Sequence, residues 1–222
     1  MDIIKPLTQE KYNIGIKLSG GADSSLIYYA LCKEYANNNN INIIALTLNT
    51  DKKPYYISTA NKIIDLVYML TGKKALDHIT ISIKHDPNNY VKFQDTLVNE
   101  AEKKYNISQL YSGLTMNPPI NDMLDYFKSN YSLHNVNLDK VLSSINTRDK
   151  ERDNTQFLSD DFNILPFGTS NKKTVYKAYQ ELNILDELYP HTRSCESFSL
   201  NETHCGHCFF CAERIWGFNR LI

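Results

Sequence analysis

An apolar run that leads into a turn rich in serine and glycine constrains the fold of this chain most. From Ile14 the sequence reads Ile-Gly-Ile-Lys-Leu-Ser-Gly-Gly-Ala-Asp-Ser-Ser, and an apolar segment follows over residues 26–35. This pattern predicts a buried strand, a tight turn and a helix start. Gly20 and Gly21 allow positive φ and a close ligand approach. The free N–H groups of the helix start favour an anion.

The turn has a functional and a purely structural interpretation. Successive N–H groups in such a turn can surround a phosphate or pyrophosphate. It is not a Walker loop, because no Gly-Lys-Ser/Thr follows the glycines. In the structural interpretation the turn only connects a strand to a helix that Ser24 caps. Two glycines and Asp-Ser-Ser directly after an apolar strand exceed what a connector needs, which favours phosphate binding.

The rest of the chain alternates between strand-like and helix-like segments. We predict strands over residues 12–18, 41–48, 78–83, 109–113 and 164–167, and helices over 22–35, 55–70, 90–105, 120–127 and 172–188. Such alternation implies an α/β fold with a parallel sheet flanked by helices. Ligands bind beyond the carboxyl ends of the strands in such sheets. Residues 19–25, 47–51 and 113–117 are therefore expected along one edge.

Composition and charge narrow the class of protein. A chain of 222 residues suits a single domain over 1–222, and its net charge of −1 argues against binding a long nucleic acid. The first six residues lack signal-peptide features, and no apolar run has the length to span a bilayer. We therefore expect a cytoplasmic protein without membrane contact. The polar segment 117–161 is predicted to be a variable lid or partner-contact region.

Four of the five cysteines cluster near the end of the sequence: Cys195, Cys205, Cys208 and Cys211. Four thiolates with two short spacers suit tetrahedral zinc in a closed structural site, so residues 195–222 are predicted to form a zinc-binding tail. An iron–sulfur cluster is the main rival, and disulfides are the weaker alternative. His204 and His207 are expected to be bystanders. The cluster should tie Trp216 and Phe218 back onto the domain.

The turn resembles the pyrophosphate loop of the ATP pyrophosphatase (PP-loop) superfamily. Together with the cysteines it resembles the 7-cyano-7-deazaguanine (preQ0) synthase family over nearly the whole chain. The residues that point to this family rather than to the superfamily as a whole lie late in the sequence. They are Pro166, Lys172-Lys173-Thr174-Val175, Thr192-Arg193-Ser194-Cys195 and Cys205-Gly206-His207-Cys208-Phe209-Phe210-Cys211. The resemblance implies an adenine nucleotide alpha hydrolase-like, Rossmann-like fold.

The resemblance also implies the ATP-dependent carbon–nitrogen ligase chemistry of queuosine biosynthesis, in a homodimer. A substrate carboxylate attacks the α-phosphate of ATP and gives an acyl-adenylate and pyrophosphate. Ammonia then displaces AMP, and a second ATP activates the amide for dehydration to the nitrile. The expected partners are a small-molecule carboxylate, 7-carboxy-7-deazaguanine, and ammonia. The expected cofactors are Zn²⁺, ATP as substrate, and Mg²⁺.

The resemblance assigns the ATP contacts and the reacting residues. The contacts to ATP are Leu18, Ser19, Gly20, Gly21, Asp23, Ser24, Ser25, Leu46, Thr47, Leu48 and Gly113, with the residues after the second strand lying against adenine. Asp23, Ser24 and Lys172 are the predicted catalytic residues. Asp23 would orient Mg²⁺, and Lys172 would neutralise the phosphates, with Lys173 as its rival.

Two segments depart from the family pattern. After the second strand, Leu-Thr-Leu-Asn-Thr-Asp stands where the family has Phe-Asp-Tyr-Gly-Gln. After the fourth, Gly-Leu-Thr-Met-Asn-Pro-Pro stands without the family's Asp and Tyr-Pro-Asp-Cys-Arg. A carboxylate substrate other than 7-carboxy-7-deazaguanine is therefore an alternative. Two further alternatives are a PP-loop RNA sulfurtransferase with an iron–sulfur or persulfide cysteine site, and a degenerate zinc-stabilised nucleotide-binding module.

Overall fold

Five parallel strands form the sheet that organises the molecule. The computed structural model describes residues 3–4, 12–86, 89–134, 136–195 and 204–221. The strands are β1 (Tyr12–Lys17), β2 (Ile41–Thr50), β3 (Asp77–Ile83), β4 (Gln109–Ser112) and β5 (Asn163–Ile164). Their order is β3-β2-β1-β4-β5, and every neighbouring pair is parallel. The predicted α/β, Rossmann-like architecture is confirmed.

Eight α-helices connect and cover the strands in the described residues. They are α1 (Ala22–Glu34), α2 (Tyr56–Thr71), α3 (Tyr90–Tyr105), α4 (Ile120–Asn130), α5 (Leu138–Ile145), α6 (Lys172–Glu181), α7 (Leu185–Leu188) and α8 (Phe209–Phe218). Short 3₁₀ turns lie at Tyr131–His134, Lys150–Arg152 and Tyr189–His191. No described helix is both long enough and apolar enough to cross a membrane.

The two faces of the sheet are covered by different helices. On β2, Ile43 and Ala45 belong to the apolar cluster that contains residues of α1, α2 and α6, whereas Ile44 and Leu46 belong to the cluster that contains residues of α3. Side chains alternate between the faces of a strand, so a strand covered on both sides is apolar throughout. The chain runs from β1 through β2 to β3 and then returns to β4 on the other side of β1. Ligands bind at such a reversal.

A third apolar cluster lies beside the sheet and joins the 117–161 segment to α8. Met123 and Phe127 of α4 and Val141 of α5 pack against Ile215 and Trp216 of α8. This packing gives the polar segment a core of its own. A role as lid or partner contact stays a prediction.

The late part of the chain differs from the sequence prediction in two ways. The helix predicted over 172–188 is divided into α6 and α7, because Asn183 between them adopts a left-handed conformation with φ 53°. The final strand has two residues rather than the predicted 164–167. Pro166 has no N–H group for a strand ladder, which accounts for the early end.

Candidate functional site

The turn between β1 and α1 depends on Gly20. Its φ is +77°, and a Cβ at this position would lie 2.5 Å from Thr59 Cγ2, so both conformation and space require glycine. Gly21 is extended, with φ −71° and ψ 162°, and it is the N-cap of α1. The prediction of positive φ at both glycines is therefore wrong for Gly21. Ser24 is not the N-cap, so the capping role predicted for it in the structural interpretation is also wrong.

The hydroxyl of Ser24 closes the turn instead of capping the helix. Ser24 Oγ lies 3.2 Å from Ser19 Oγ, accepts from the Ser19 N–H at 3.3 Å and donates to the Gly21 carbonyl at 3.3 Å. Because the N-cap is a glycine, no cap side chain accepts from the first N–H groups of α1. Those N–H groups and the positive end of the helix dipole suit an anion.

Two adjoining clefts open beyond the carboxyl ends of β1 and β4. Both are lined by Ser19, Gly21, Asp23, Tyr56, Gly113 and Leu114. The apolar cleft, of about 240 Å³, continues past Leu18, Leu46 and Leu48 toward α3. The charged cleft, of about 170 Å³, continues past Arg152, Lys172, Arg193 and Glu213. The apolar cleft and the charged cleft thus meet at the glycine turn.

The structure brings most of the predicted nucleotide contacts together at these clefts: Leu18, Ser19, Gly21, Asp23, Ser24, Leu46, Leu48 and Gly113. Thr47 does not line the described part of either cleft. Its hydroxyl donates to the Leu18 carbonyl at 2.5 Å and lies 2.7 Å from His78 Nε2. Side-chain alternation along β2 explains this placement. Ser25 is buried within α1.

Gly113 brings the end of β4 against the first turn of α1. A Cβ at Gly113 would lie 2.6 Å from the Ser24 backbone nitrogen and 2.9 Å from Asp23 Cβ. Glycine is therefore required here for packing between two backbone segments. This contact fixes the position of Asp23 at the boundary of the two clefts.

The charged cleft contains a closed network of ion pairs and hydrogen bonds. Lys172 forms an ion pair with Asp23, and its Nζ lies 3.8 Å from Glu213 Oε2. Glu213 Oε1 accepts from Arg152 Nη2 at 2.9 Å. Arg152 also donates from Nε to the Thr115 carbonyl at 2.8 Å and from Nη2 to Thr115 Oγ1 at 3.0 Å. Five buried residues from distant parts of the sequence thus form one wall.

The two adjacent lysines occupy different environments. Lys172 is buried and lines the charged cleft. Lys173 is exposed, and its ammonium group lies 4.3 Å from the centre of the Trp216 ring. The structure therefore places Lys172, not Lys173, beside the turn.

Two buried carboxylate oxygens in this cleft have no hydrogen-bond partner among the described residues. They are Asp23 Oδ1 and Glu213 Oε2. A buried acceptor without a partner is unfavourable, so such atoms commonly bind a ligand or an ion. Carboxylate oxygens are suitable ligands for Mg²⁺. The residues present therefore fit the predicted magnesium role of Asp23.

Arg193 connects the turn to the cysteine segment. Its N–H group donates to the Gly20 carbonyl at 2.8 Å, and its guanidinium group lies 3.6 Å from the centre of the Tyr55 ring. The Tyr55 hydroxyl donates to the Cys195 carbonyl. The backbone that leads into the first cysteine thus supports the glycine turn directly.

The four cysteines converge on one point. The sulfur atoms of Cys195, Cys205, Cys208 and Cys211 all lie within 4.8 Å of one another. Cys205 Sγ and Cys211 Sγ are 3.9 Å apart, and the Cys208 N–H donates to Cys205 Sγ at 3.3 Å. Hydrogen bonds with Cys195 and Cys208, and burial, raise the pKa of the Cys211 thiol. The predicted four-cysteine metal-binding site is confirmed.

The sulfur spacing suits a single tetrahedral ion. With metal–sulfur bonds of about 2.3 Å, the sulfurs around zinc lie about 3.8 Å apart. A four-iron cluster places irons and sulfides between the thiolates, which requires a wider arrangement. Gly206, with φ +74°, supplies the turn between Cys205 and Cys208. The donor set and its spacing fit zinc.

The helix that follows the cysteines forms one wall of the charged cleft. Cys208 is the N-cap of α8, Cys211 lies in its first turn, and Phe210 and Glu213 line the cleft. Further along α8, a Cβ at Gly217 would lie 2.4 Å from Lys172 Cβ. The four-cysteine site therefore positions both Glu213 and the neighbourhood of Lys172.

Sequence reasoning did not identify the other residues that line these clefts as site residues, including Arg193, Tyr56 and the following four. Thr115, Arg152 and Glu213 belong to the charged network, and Lys17 lines the apolar cleft, where burial lowers the pKa of its ammonium group. Glu213 lies two positions after a predicted metal ligand, which is the one local signal for it. No local pattern marks Arg152.

No protein-family model matches this sequence, and no curated protein matches it. A solved structure that resembles the chain is U34-tRNA thiolase NcsA from Methanococcus maripaludis with its [4Fe-4S] cluster. The two are 17% identical, with a TM-score of 0.46 over 92% of this chain and 70% of the thiolase chain. A likeness of this size assigns neither a family nor an activity to the chain.

Proposed function

We propose that this protein is an ATP-dependent enzyme that adenylates its substrate and releases pyrophosphate. The observation that carries the proposal is the start of α1, where a glycine N-cap leaves N–H groups without a cap side chain beside buried Asp23 and Lys172. An anion-binding helix start with a nearby carboxylate and ammonium group suits a magnesium-bound triphosphate.

The two clefts divide the nucleotide between them in this proposal. Adenosine lies in the apolar cleft against Leu18, Leu46 and Leu48, and the phosphates lie on the turn at Ser19–Gly21. Lys172 and Arg193 line the charged side of the turn. They neutralise the charge that develops on the departing pyrophosphate, and preorganised donors of this kind can lower a barrier substantially. Bound magnesium would supply further charge neutralisation at Asp23.

We further propose that the substrate is a carboxylate and that nitrogen from ammonia replaces AMP. The carboxylate oxygen forms a bond to the α-phosphorus while the bond to pyrophosphate breaks. Ammonia then forms the carbon–nitrogen bond, AMP leaves, and a proton passes to solvent. Besides Lys172 and Arg193, Arg152 gives the charged cleft a third cation, which attracts an anionic substrate. 7-Carboxy-7-deazaguanine is the first substrate to test, with the amide or the nitrile as product.

RNA sulfur transfer is a second candidate, favoured by the position of the cysteines. Ser194 and Phe210, which line the charged cleft, are direct sequence neighbours of Cys195 and Cys211. A sulfur carried at the cysteines would therefore lie close to an adenylated substrate. The close sulfur spacing favours one structural ion over this candidate. A nucleotide-binding module without turnover is the non-enzymatic candidate.

One experiment separates these candidates. The purified protein is incubated with ATP, Mg²⁺, ammonia and 7-carboxy-7-deazaguanine, pyrophosphate release is measured, and the product is identified by mass spectrometry. We expect pyrophosphate release that depends on the acid, with formation of the amide or nitrile. Turnover only with RNA and a sulfur donor, by a brown protein containing iron and sulfide, would support the thiolase candidate. ATP binding without turnover would support the binding module.

A further inference from the structure

We propose that Arg152 binds the carboxylate of the acceptor substrate and selects an acid over a neutral analogue. This inference rests on the proposed carboxylate adenylation and names the residue that recognises the carboxylate. Arg152 comes from the 3₁₀ turn Lys150–Arg152, within the polar segment that connects β4 to β5. It lines the charged cleft, which Ser19 and Gly21 of the glycine turn also line.

The surrounding residues hold Arg152 in one orientation. Nε donates to the Thr115 carbonyl at 2.8 Å, and Nη2 donates to Thr115 Oγ1 at 3.0 Å and to Glu213 Oε1 at 2.9 Å. Arg152, Thr115 and Glu213 are all buried. A guanidinium group fixed at two of its nitrogens loses little further side-chain entropy on binding a ligand.

The same contacts leave one end of the guanidinium group available. Nη1 of Arg152 makes no hydrogen bond to a described residue, although the side chain lines the cleft. Guanidinium N–H groups bind carboxylates by charge-assisted hydrogen bonds. The structure therefore presents an oriented donor in the cleft that the glycine turn also lines.

Arg152 suits the acceptor better than the other two cations of the cleft do. Lys172 is paired with Asp23, and Arg193 is attached through its backbone to Gly20, so both belong to the phosphate side. Arg152 is attached to Thr115, beyond the end of β4, and to Glu213 of α8. A substrate held there has its carboxylate between Arg152 and the turn, where the α-phosphate lies in the proposed function.

Thr115 lies in the segment after β4, where the chain departs from the preQ0 synthase pattern. The guanidinium group on this wall comes from Arg152, whose Nη2 donates to Thr115 Oγ1. The sequence departure and the Arg152 contact thus occur at the same wall of the cleft.

The test compares the affinity for an acid with the affinity for the same molecule without its carboxylate. Calorimetry measures binding of 7-carboxy-7-deazaguanine and of 7-deazaguanine to the wild-type protein, or of another acid and its decarboxylated form if that acid supports ATP–pyrophosphate exchange. We expect the wild type to prefer the acid by at least about tenfold, the value of one charge-assisted hydrogen bond. Arg152→Gln should remove the preference, and Arg152→Lys should restore part of it.

Two further variants separate recognition from stability. Arg152→Gln alone leaves Glu213 buried without its charge partner, so the double variant Arg152→Gln with Glu213→Gln keeps that wall neutral and hydrogen-bonded. The matched control is Arg220→Gln, which removes an arginine paired with exposed Asp186 outside both clefts. Circular dichroism checks the fold of each variant. The control should keep the wild-type preference for the acid.

The outcomes distinguish this inference from the proposed function. If the folded double variant still prefers the acid tenfold, Arg152 does not recognise the carboxylate, although exchange by the wild type would leave adenylation in place. If the wild type catalyses no carboxylate-dependent exchange with any acid, the proposed function is wrong and this inference with it. Loss of the preference for the acid in Arg152→Gln and in the double variant, with the preference retained in Arg220→Gln, supports the inference.

Discussion

The ammonium group of Lys172 is ion-paired with the carboxylate of Asp23, although 149 positions separate the two residues in the sequence. Asp23 lies in the first turn of α1 and Lys172 begins α6, so two helix starts meet at one cleft. The lysine neutralises a buried carboxylate here. In the proposed function, the phosphates would attract Lys172, and Asp23 would then be available to hold magnesium.

Removing the charge of Asp23 should abolish pyrophosphate release. Asp23→Asn keeps the size of the side chain but removes the negative charge that pairs with Lys172 and fits Mg²⁺. We expect turnover to fall by more than about 100-fold, the scale seen when one electrostatic group of a reaction site is lost. A coupled pyrophosphate assay measures it, and circular dichroism checks the fold. Wild-type turnover in the variant would rule out this site.

The two adjacent lysines provide a matched pair of variants. Lys172→Met removes a buried cation from the charged cleft, whereas Lys173→Met removes an exposed one that lies over the Trp216 ring. We expect kcat/KM for ATP to fall about 100-fold or more in the first and less than about twofold in the second. Equal effects of the two substitutions would contradict the assignment.

The four-cysteine site should contain one zinc ion that stabilises the fold. Elemental analysis should find about one zinc per chain and neither iron nor sulfide, because the sulfur spacing suits one tetrahedral ion. Cys208→Ser should lose the metal and lower the melting temperature, since binding of a structural metal contributes to folding free energy. Iron with acid-labile sulfide, or an unchanged melting temperature, would overturn this assignment.

Gly113→Ala tests the contact between β4 and α1. The added methyl group would lie 2.6 Å from the Ser24 backbone nitrogen, so the strand end or the glycine turn must shift. We expect about 1–3 kcal/mol of destabilisation, as for overpacking elsewhere, together with weaker ATP binding. The control is Gly72→Ala, whose Cβ meets no atom within 4 Å but whose φ is +73°, so it should lose stability without losing ATP affinity. Unchanged stability and ATP affinity in Gly113→Ala would contradict the contact.

Burial of His78 should make stability depend on pH. Desolvation lowers the pKa of His78, so the folded state disfavours the protonated ring, which lies between Thr47 and Asn61. Below about pH 6.5 the unfolded chain takes up a proton that folded His78 resists, so the free energy of unfolding falls as the pH decreases. Urea unfolding at pH 7.5 and 5.5 should show a smaller decrease for His78→Gln than for the wild type. Equal decreases would contradict a role for His78.

His204 is present both in the wild type and in His78→Gln. Burial lowers the pKa of His204 to about 4, so it adds its own loss of stability at acidic pH. Because the same contribution occurs in wild type and His78→Gln, the difference between the two unfolding curves isolates His78.

The local parts of the site could be predicted from the sequence, and the long-range parts could not. Ser19, Asp23 and the four cysteines lie in short motifs whose spacing implies their geometry. Arg152 carries no such signal, and Glu213 has only its closeness to Cys211, because the position of both depends on how α4 and α5 pack against α8. Even within the motif, Gly21 proved extended, since one left-handed residue at Gly20 suffices for the turn.

ATP–pyrophosphate exchange measures whether this protein adenylates a carboxylate. Labelled pyrophosphate, ATP and Mg²⁺ are incubated with the protein and a carboxylate, beginning with 7-carboxy-7-deazaguanine, and without ammonia so that only adenylation is observed. We expect exchange that requires the acid and is lost in Asp23→Asn. ATP binding by the wild-type protein without exchange for any carboxylate would contradict this expectation.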